Sequence, residues 1–263
     1  MQKYEIILYI SQLALPLRRF LNKSYKKMNV DFILKELQSI GTPEKAAHLQ
    51  RFFKTGPGQY GEGDVFIGVV VPHTRCIAKA NIRMPLKEIA KLLQSKYHEA
   101  RLCALLILTE QFKKAPENKR EEIFNFYLQN TSCINNWDLV DLTAPKIVGE
   151  YLLDKDRTIL YRLAESENLW EQRIAIISTY TFIRKNDFYD TFELSKRFLT
   201  HKHDLMHKAV GWMLRETGKR DRHALTDFLE TFSPVMPRTA LRYAIEHYPD
   251  PERQYFLKKK KTV

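Results

Sequence analysis

Residues 135–141 read NNWDLVD and place a tryptophan and a carboxylate four residues apart, at Trp137 and Asp141. On a helix that spacing puts both side chains on one face, one turn apart. One reading is structural. Trp137 is then a core aromatic, since burial is the usual fate of tryptophan, and Asp141 caps a helix starting near Pro145 or pairs with a neighbouring base. The other reading is chemical: an aromatic face beside a carboxylate can receive a cationic group, because the ring face attracts cations and the carboxylate opposes developing positive charge.

The elements that must position this pair are helices. The chain of 263 residues has only nine glycines and eleven prolines, and Leu, Ile, Lys and Glu abound, which favours helix over sheet. Apolar periodicity predicts helices near 31–40, 43–54, 72–81, 85–94, 97–113, 117–130, 137–142, 145–153, 156–165, 168–185, 188–199, 203–217, 221–231, 236–247 and 251–260. Asp31 is expected to cap the first, with Gly41-Thr42-Pro43 ending it, and Asn136 to cap the helix that presents Trp137 and Asp141. The one glycine-rich segment, KTGPGQYGEGDVFIG at 54–68, lacks the ending of a phosphate-binding loop and reads as a plain linker.

A repeat runs through these helices. HEARLCALLIL around Arg101 resembles WEQRIAIISTY around Arg173, 72 residues later, and half that step lands on Trp137. A further step of 35 from Arg173 reaches Lys208, with Trp212 one turn on. Helix-pair repeats of about 35–40 residues stack into an all-α, HEAT-like solenoid with a concave face. In that register Arg101, Trp137, Asp141, Arg173, Lys208 and Trp212 project from equivalent helices.

The formal charge of +12 is concentrated at the ends: residues 1–27 carry +5 and 258–261 carry +4, leaving +3 between them. Residues 195–223 hold +5 and four histidines, either a phosphate-facing patch or a solvated helix face. His201, His203 and His207 belong to that basic surface; their spacing, without an HExxH pattern or a cysteine beside it, does not read as a metal site. Three widely spaced cysteines (Cys76, Cys103 and Cys133) without a CxxC pair fit a reducing cytoplasm. No apolar run reaches membrane-spanning length. The organisation expected is an extension over 1–27 outside the fold, with Met28 as the functional start, a helical-repeat domain over 28–257 and a basic tail over 258–263.

A strip of arginine, lysine, two tryptophans and one aspartate suits cleavage of an N-glycosidic bond in a base that is already cationic. The basic groups hold phosphates, and the aromatic faces meet the cation or a sugar edge. A cationic alkylpurine leaves without protonation, so the second carboxylate of sugar hydrolases is dispensable. NNWDLVD, LWEQRIAIISTYTFIR and HKAVGWMLRE, with KTGPGQYGEGDVFIGVVVPHTR upstream, resemble the AlkD-type DNA alkylation repair glycosylases from about Met28 to the C-terminus. The resemblance implies a solenoid that grips duplex DNA and removes cationic N3- and N7-alkylpurines without metal, cofactor or base flipping. It makes Asp141 the catalytic carboxylate, Trp137 and Trp212 the aromatic lesion-site residues and Arg173 the backbone contact. Gln172 stands where the family often has a second basic residue. Arg101 and Lys208 join the DNA-binding set through the repeat register alone. The expectation is a cytoplasmic, nucleoid-associated monomer whose partner is double-stranded DNA with alkylated bases. Two rivals remain: a non-catalytic HEAT-like scaffold for DNA or protein, and an RNA-associated repeat protein, which would need a modular base-reading code.

Overall fold

Helices start where a short side chain can accept the free N–H groups of a first turn. Asn29 does so for Phe32 N–H at 3.0 Å and opens α1 (Val30–Ile40). Asp31, the expected cap, sits instead inside the first turn, where its charge suits the positive helix end. Thr42 caps α2 (Pro43–Phe52), with Pro43 at the position where a missing N–H costs nothing. The computed structural model describes residues 29–259; the extension over 1–27 and most of the expected basic tail, 260–263, lie outside them.

The remaining helices are α3 (Val71–Ala80), α4 (Leu86–Leu93), α5 (His98–Lys114), α6 (Glu117–Gln129), α7 (Trp137–Ala144), α8 (Thr158–Ala164), α9 (Leu169–Ser178), α10 (Tyr180–Ile183), α11 (Tyr189–Arg197), α12 (Asp204–Arg220), α13 (Arg222–Phe232), α14 (Arg238–Ala244) and α15 (Asp250–Lys258). Among the described residues there is no strand, only an isolated bridge between Val65 and Tyr97. The fold is an all-α helical repeat. Helices α5, α7, α9 and α12 pack one on the next, and α3 and α4 lie on α5, α8 on α9, and α13 and α14 on α12. Arg101, Asp141, Arg173 and Lys208 lie on the four stacked helices, in chain order. Many long-range hydrogen bonds span about one repeat step, such as Tyr161 to Asp190 across 29 residues and Thr131 to Glu171 across 40.

The stack closes on apolar side chains. Most of α5 is buried around its whole circumference, the mark of a helix with neighbours on every side. Among the described residues no helix is long and apolar enough to cross a membrane. Cys76, Cys103 and Cys133 are all unpaired.

Two predicted helices are built differently. The one expected over 145–153 is a continuation of α7, which passes through Pro145 as a π-turn at Pro145–Gly149. Proline brings no N–H to the ladder and loosens the turn, and the Thr181 hydroxyl donates to the Pro145 carbonyl at 2.7 Å. The one expected over 168–185 breaks at Thr179. There the Ser178 and Thr179 hydroxyls donate back to the Ile174 and Ile176 carbonyls at 2.6 and 2.7 Å, competing with the helix ladder and bending it.

Gly211 lets α12 and α14 approach closely. A Cβ there would lie 2.5 Å from the Ala240 carbonyl oxygen and 2.5 Å from Tyr243 Cβ. Gly211→Ala should therefore destabilise the fold by about 1–3 kcal/mol through overpacking, read as a lower urea midpoint with unchanged slope.

Candidate functional site

The repeat uses one arginine–carboxylate clasp twice, with different results. In the first, Arg101 on α5 donates from Nη2 to Asp64 Oδ1 at 2.5 Å and from Nη1 to the Ser95 carbonyl at 2.9 Å. Both side chains are buried. Arg101 is therefore not a phosphate contact; it is spent inside the protein on the glycine-rich segment. Asp64 also accepts from Asn135 Nδ2 at 3.3 Å and Asn136 Nδ2 at 3.2 Å, and His98 Nδ1 lies 3.0 Å from its Oδ2. Four partners use the acceptor capacity of this carboxylate. The other ring nitrogen of His98, Nε2, lies 2.8 Å from Asp138 Oδ2. Burial alone would push this imidazole down, but the Asp138 and Asp64 carboxylates outweigh it and hold the pKa up to about 9. The group of four is then two cations on two carboxylates.

These contacts overturn the reading of residues 54–68 as a linker. Glu99, next to His98, accepts from the N–H groups of Ile67, Gly68 and Val69 at 2.9, 2.8 and 3.1 Å. Three charged residues of HEAR thus anchor the segment. Gly61 lets it lie flat, since a Cβ there would meet the Phe53 carbonyl oxygen at 2.4 Å and Asn136 Nδ2 at 3.4 Å. Asn136 does cap α7, through Oδ1 to Trp137 N–H at 2.9 Å, while its amide nitrogen ties the helix start to Asp64. The two asparagines of NNWDLVD join segment to helix.

The second clasp opens toward the surface. Arg173 on α9 grips Asp141 on α7 with both arms of its fork, Nε to Oδ1 at 2.9 Å and Nη2 to Oδ2 at 2.8 Å. Its Nη1 donates to the Leu205 carbonyl at 2.6 Å, reaching the next stacked helix. No other donor among the described residues bonds Asp141, so each oxygen keeps an acceptor position, and 15% of its side chain is exposed against 3% for Asp64. Burial pushes the Asp141 pKa up, opposed by the guanidinium of Arg173. Arg173 is itself buried and acts in this geometry as the orienting partner of the carboxylate.

Trp137, half-buried one turn before Asp141, stacks on Phe53 with centroids 5.2 Å apart and planes at 19°, and meets the exposed Phe52 edge-on at 6.0 Å. Tyr60, from the glycine-rich segment, joins the cluster. Burial raises its pKa; the neighbouring Trp137 side chain and the charges of Lys208 and Arg173 partly oppose that. Sequence reasoning missed Tyr60 because a glycine-rich stretch without helical periodicity carries no sign of where it docks. Lys208 pairs with Asp204 at 2.8 Å while 42% of its side chain stays exposed. Trp212 packs on Tyr180 at 6.0 Å and donates to Glu216 at 3.2 Å; among the described residues no hydrogen bond or ring contact joins it to Trp137 or Asp141.

The basic stretch at 195–223 is more neutral than its composition. Lys196, Arg197, Lys208, Arg215, Lys219 and Arg222 all pair with carboxylates. The histidines add little charge: burial lowers the pKa of His201 and His203. The Nδ1 atom of His203 accepts from Leu205 N–H at 3.1 Å as the cap of α12. His201 Nδ1 accepts from His203 N–H, so its Nε2 carries the proton donated to Gln172 Oε1 at 2.8 Å. Gln172 serves this internal chain. Among the described residues no group of histidine, cysteine and carboxylate side chains is placed to hold a metal ion.

Comparison with known proteins places the sequence among DNA repair proteins. The family model for DNA alkylation repair enzymes matches residues 33–248, and the chain belongs to that family. Among solved structures it is similar to a predicted DNA alkylation repair enzyme from Enterococcus faecalis, at 18% identity and a TM-score of 0.63, covering 80% of this chain and 98% of that one. That likeness speaks for the shared fold. No curated protein matches. The family implies an enzyme of DNA repair with DNA as its partner.

The His98 bridge makes stability pH-dependent with a definite sign. The folded pKa lies above the unfolded value, so its contribution is fully present below about pH 6.5 and is lost as pH rises through about 9. His201 and His203, lowered on folding, act in the opposite sense and below that window. The urea midpoint should decline between these limits; a flat profile there contradicts a charged bridge.

Proposed function

We propose that the protein is a monofunctional DNA glycosylase that hydrolyses the N-glycosidic bond of cationic N3- and N7-alkylpurines in duplex DNA. The observation that carries this reading is Asp141. It is a carboxylate held by a bidentate arginine, half-used as an acceptor and one turn from an aromatic ring, in a chain of the DNA alkylation repair family.

In the proposed reaction the C1′–N bond breaks with its electron pair passing to the base, which leaves neutral. The sugar becomes oxocarbenium-like, and Asp141 faces the charge that forms on it. A water hydrogen-bonded to a free acceptor position of Asp141 attacks C1′ and gives up its proton to that carboxylate or to solvent. Arg173 fixes the carboxylate plane, as a bidentate fork does. Trp137 and Trp212 flank the lesion, and Lys208 exchanges Asp204 for a phosphate, since an exposed pair of this kind is held by little energy. No base flipping is invoked and the site acts as a monomer.

Incubation with duplex DNA carrying 7-methylguanine, scored for free base above the spontaneous rate, tests the reading. Wild type should release the base, and Asp141→Asn should be slower by about 10²–10³. Absence of release by wild type leaves the scaffold reading in its place. Because burial raises the Asp141 pKa and the ionised form is the active one, the rate should fall as pH drops through a value above the usual carboxylate range. Affinity for undamaged duplex should fall with salt, and Lys208→Gln should reduce the log–log salt slope by about one.

A further inference from the structure

The cations of the repeat do not stop at Lys208. A step of 35 residues separates Arg173 from Lys208, and a further 34 reaches Arg242 on α14. Helix α14 meets α12 where Gly211 leaves room for it, beside Ala240 and Tyr243. A salt bridge fixes how the two helices are turned relative to each other. Arg215, seven residues after Lys208 and so on the same face of α12, pairs with Glu246, one turn after Arg242. Lys208 and Arg242 therefore stand on neighbouring helices and on the same side of the stack.

Arg242 differs from the cations of α12 in being unspent. Lys208, Arg215 and Lys219 are held by Asp204, Glu246 and Glu216. Arg242 and Arg238, one turn before it, are both exposed, and among the described residues neither has an ion-pair or hydrogen-bond partner. Glu246, the carboxylate closest to Arg242 in sequence, is engaged by Arg215. From this placement we infer that Arg242, with Arg238 beside it, is a further contact for the DNA backbone, on a phosphate beyond the one that Lys208 holds. Packed helices stand ~8–10 Å apart, whereas the phosphates of one strand recur every ~3.4 Å along the duplex axis, so the two cations reach different phosphates. The planar fork of a guanidinium matches phosphate oxygens in pairs, and here no carboxylate has to be displaced first. A cation in the last turn also suits the negative end of its helix, a role that leaves DNA affinity untouched. The inference rests on the DNA-binding part of the proposed function and extends it by one helix.

The test is the salt dependence of affinity for undamaged duplex, measured on the full chain for wild type, Arg242→Gln, Lys208→Gln and the variant carrying both changes. Arg162→Gln is the control, since Arg162 is also exposed and unpaired but belongs to α8, which lies on α9 outside the row of stacked helices. Arg242→Gln should reduce the log–log salt slope by about one, and the double variant by about two. Arg162→Gln should keep the wild-type slope, and melting temperatures should stay near wild type throughout. A wild-type slope for Arg242→Gln overturns the inference. So does an equal fall for Arg162→Gln, which reports net charge and not a contact. A double variant that loses only about one puts both cations on one phosphate, against the placement inferred. Should Arg242→Gln lower melting temperature in step with affinity, Arg242 serves the helix end and not the duplex. A wild-type protein whose duplex affinity is independent of salt refutes the DNA-binding reading itself.

Discussion

The buried carboxylate of Asp64 is the constraint on which the rest depends. It lies within an irregular, glycine-rich segment and sits in the interior with four hydrogen-bonding neighbours from α5 and the start of α7. A buried charge is tolerated only when its desolvation is offset in full, and here two cations and two amides supply the offset. The consequence is geometric. Because Asp64 must lie between Arg101 and the two asparagines, the segment cannot move away from α5 or from the start of α7. The positions of Tyr60 and Trp137 follow from that single point of attachment.

The second clasp shows how a structural interaction becomes a chemical one. Arg101 and Arg173 occupy matching places in the repeat, and each reaches back to an aspartate, 37 and 32 residues earlier. Besides the two asparagines on Asp64, the residue one turn before each arginine differs. In the first repeat it is His98, whose ring fills the remaining acceptor position of Asp64. In the second it is Trp170, which does not bond to the carboxylate of its repeat. Asp141 is left with the arginine and with open acceptor positions. Arginine–aspartate pairs at matching places therefore give a saturated hub in one repeat and an incompletely bonded, partly exposed carboxylate in the next.

The repeat was legible in the sequence because its period is set by backbone geometry: Arg101, Trp137, Arg173 and Lys208 fall on successive stacked helices, as their spacing predicted. The destination of each side chain was not. An arginine at a helix start looks the same whether it faces solvent or a buried aspartate 37 residues away, so Arg101 was expected on the DNA face and lies in the interior. The glycines of 54–68 signalled freedom of the backbone, whereas the fixed course of the segment comes from charges on α5 that sequence proximity does not reveal. Histidine composition misled for a related reason. His201 and His203 counted toward a basic surface, but their ring nitrogens accept backbone N–H bonds, a role open only to the neutral ring. Proline and hydroxyl chemistry at Pro145 and Thr179 modified helices whose existence was predicted correctly.

An arginine clamped on Asp141 raises an objection to the proposed chemistry, since a neutralised carboxylate should stabilise a cation poorly. The objection weakens once charge is followed through the reaction. A cationic base transfers its positive charge to the sugar as the bond breaks, so the total charge at the site is the same before and after; the electrostatic task is to favour its new location over its old one. That needs a carboxylate with fixed direction more than one with maximal charge. It also needs a carboxylate that is ionised at all, and burial alone favours the protonated form. Arg173 supplies both conditions, holding the group charged in a partly dry site and fixing its plane by two parallel bonds. The attraction lost to the arginine is the cost of having a directed, ionised carboxylate where solvent is scarce. For a leaving group that departs without protonation, the remainder is enough.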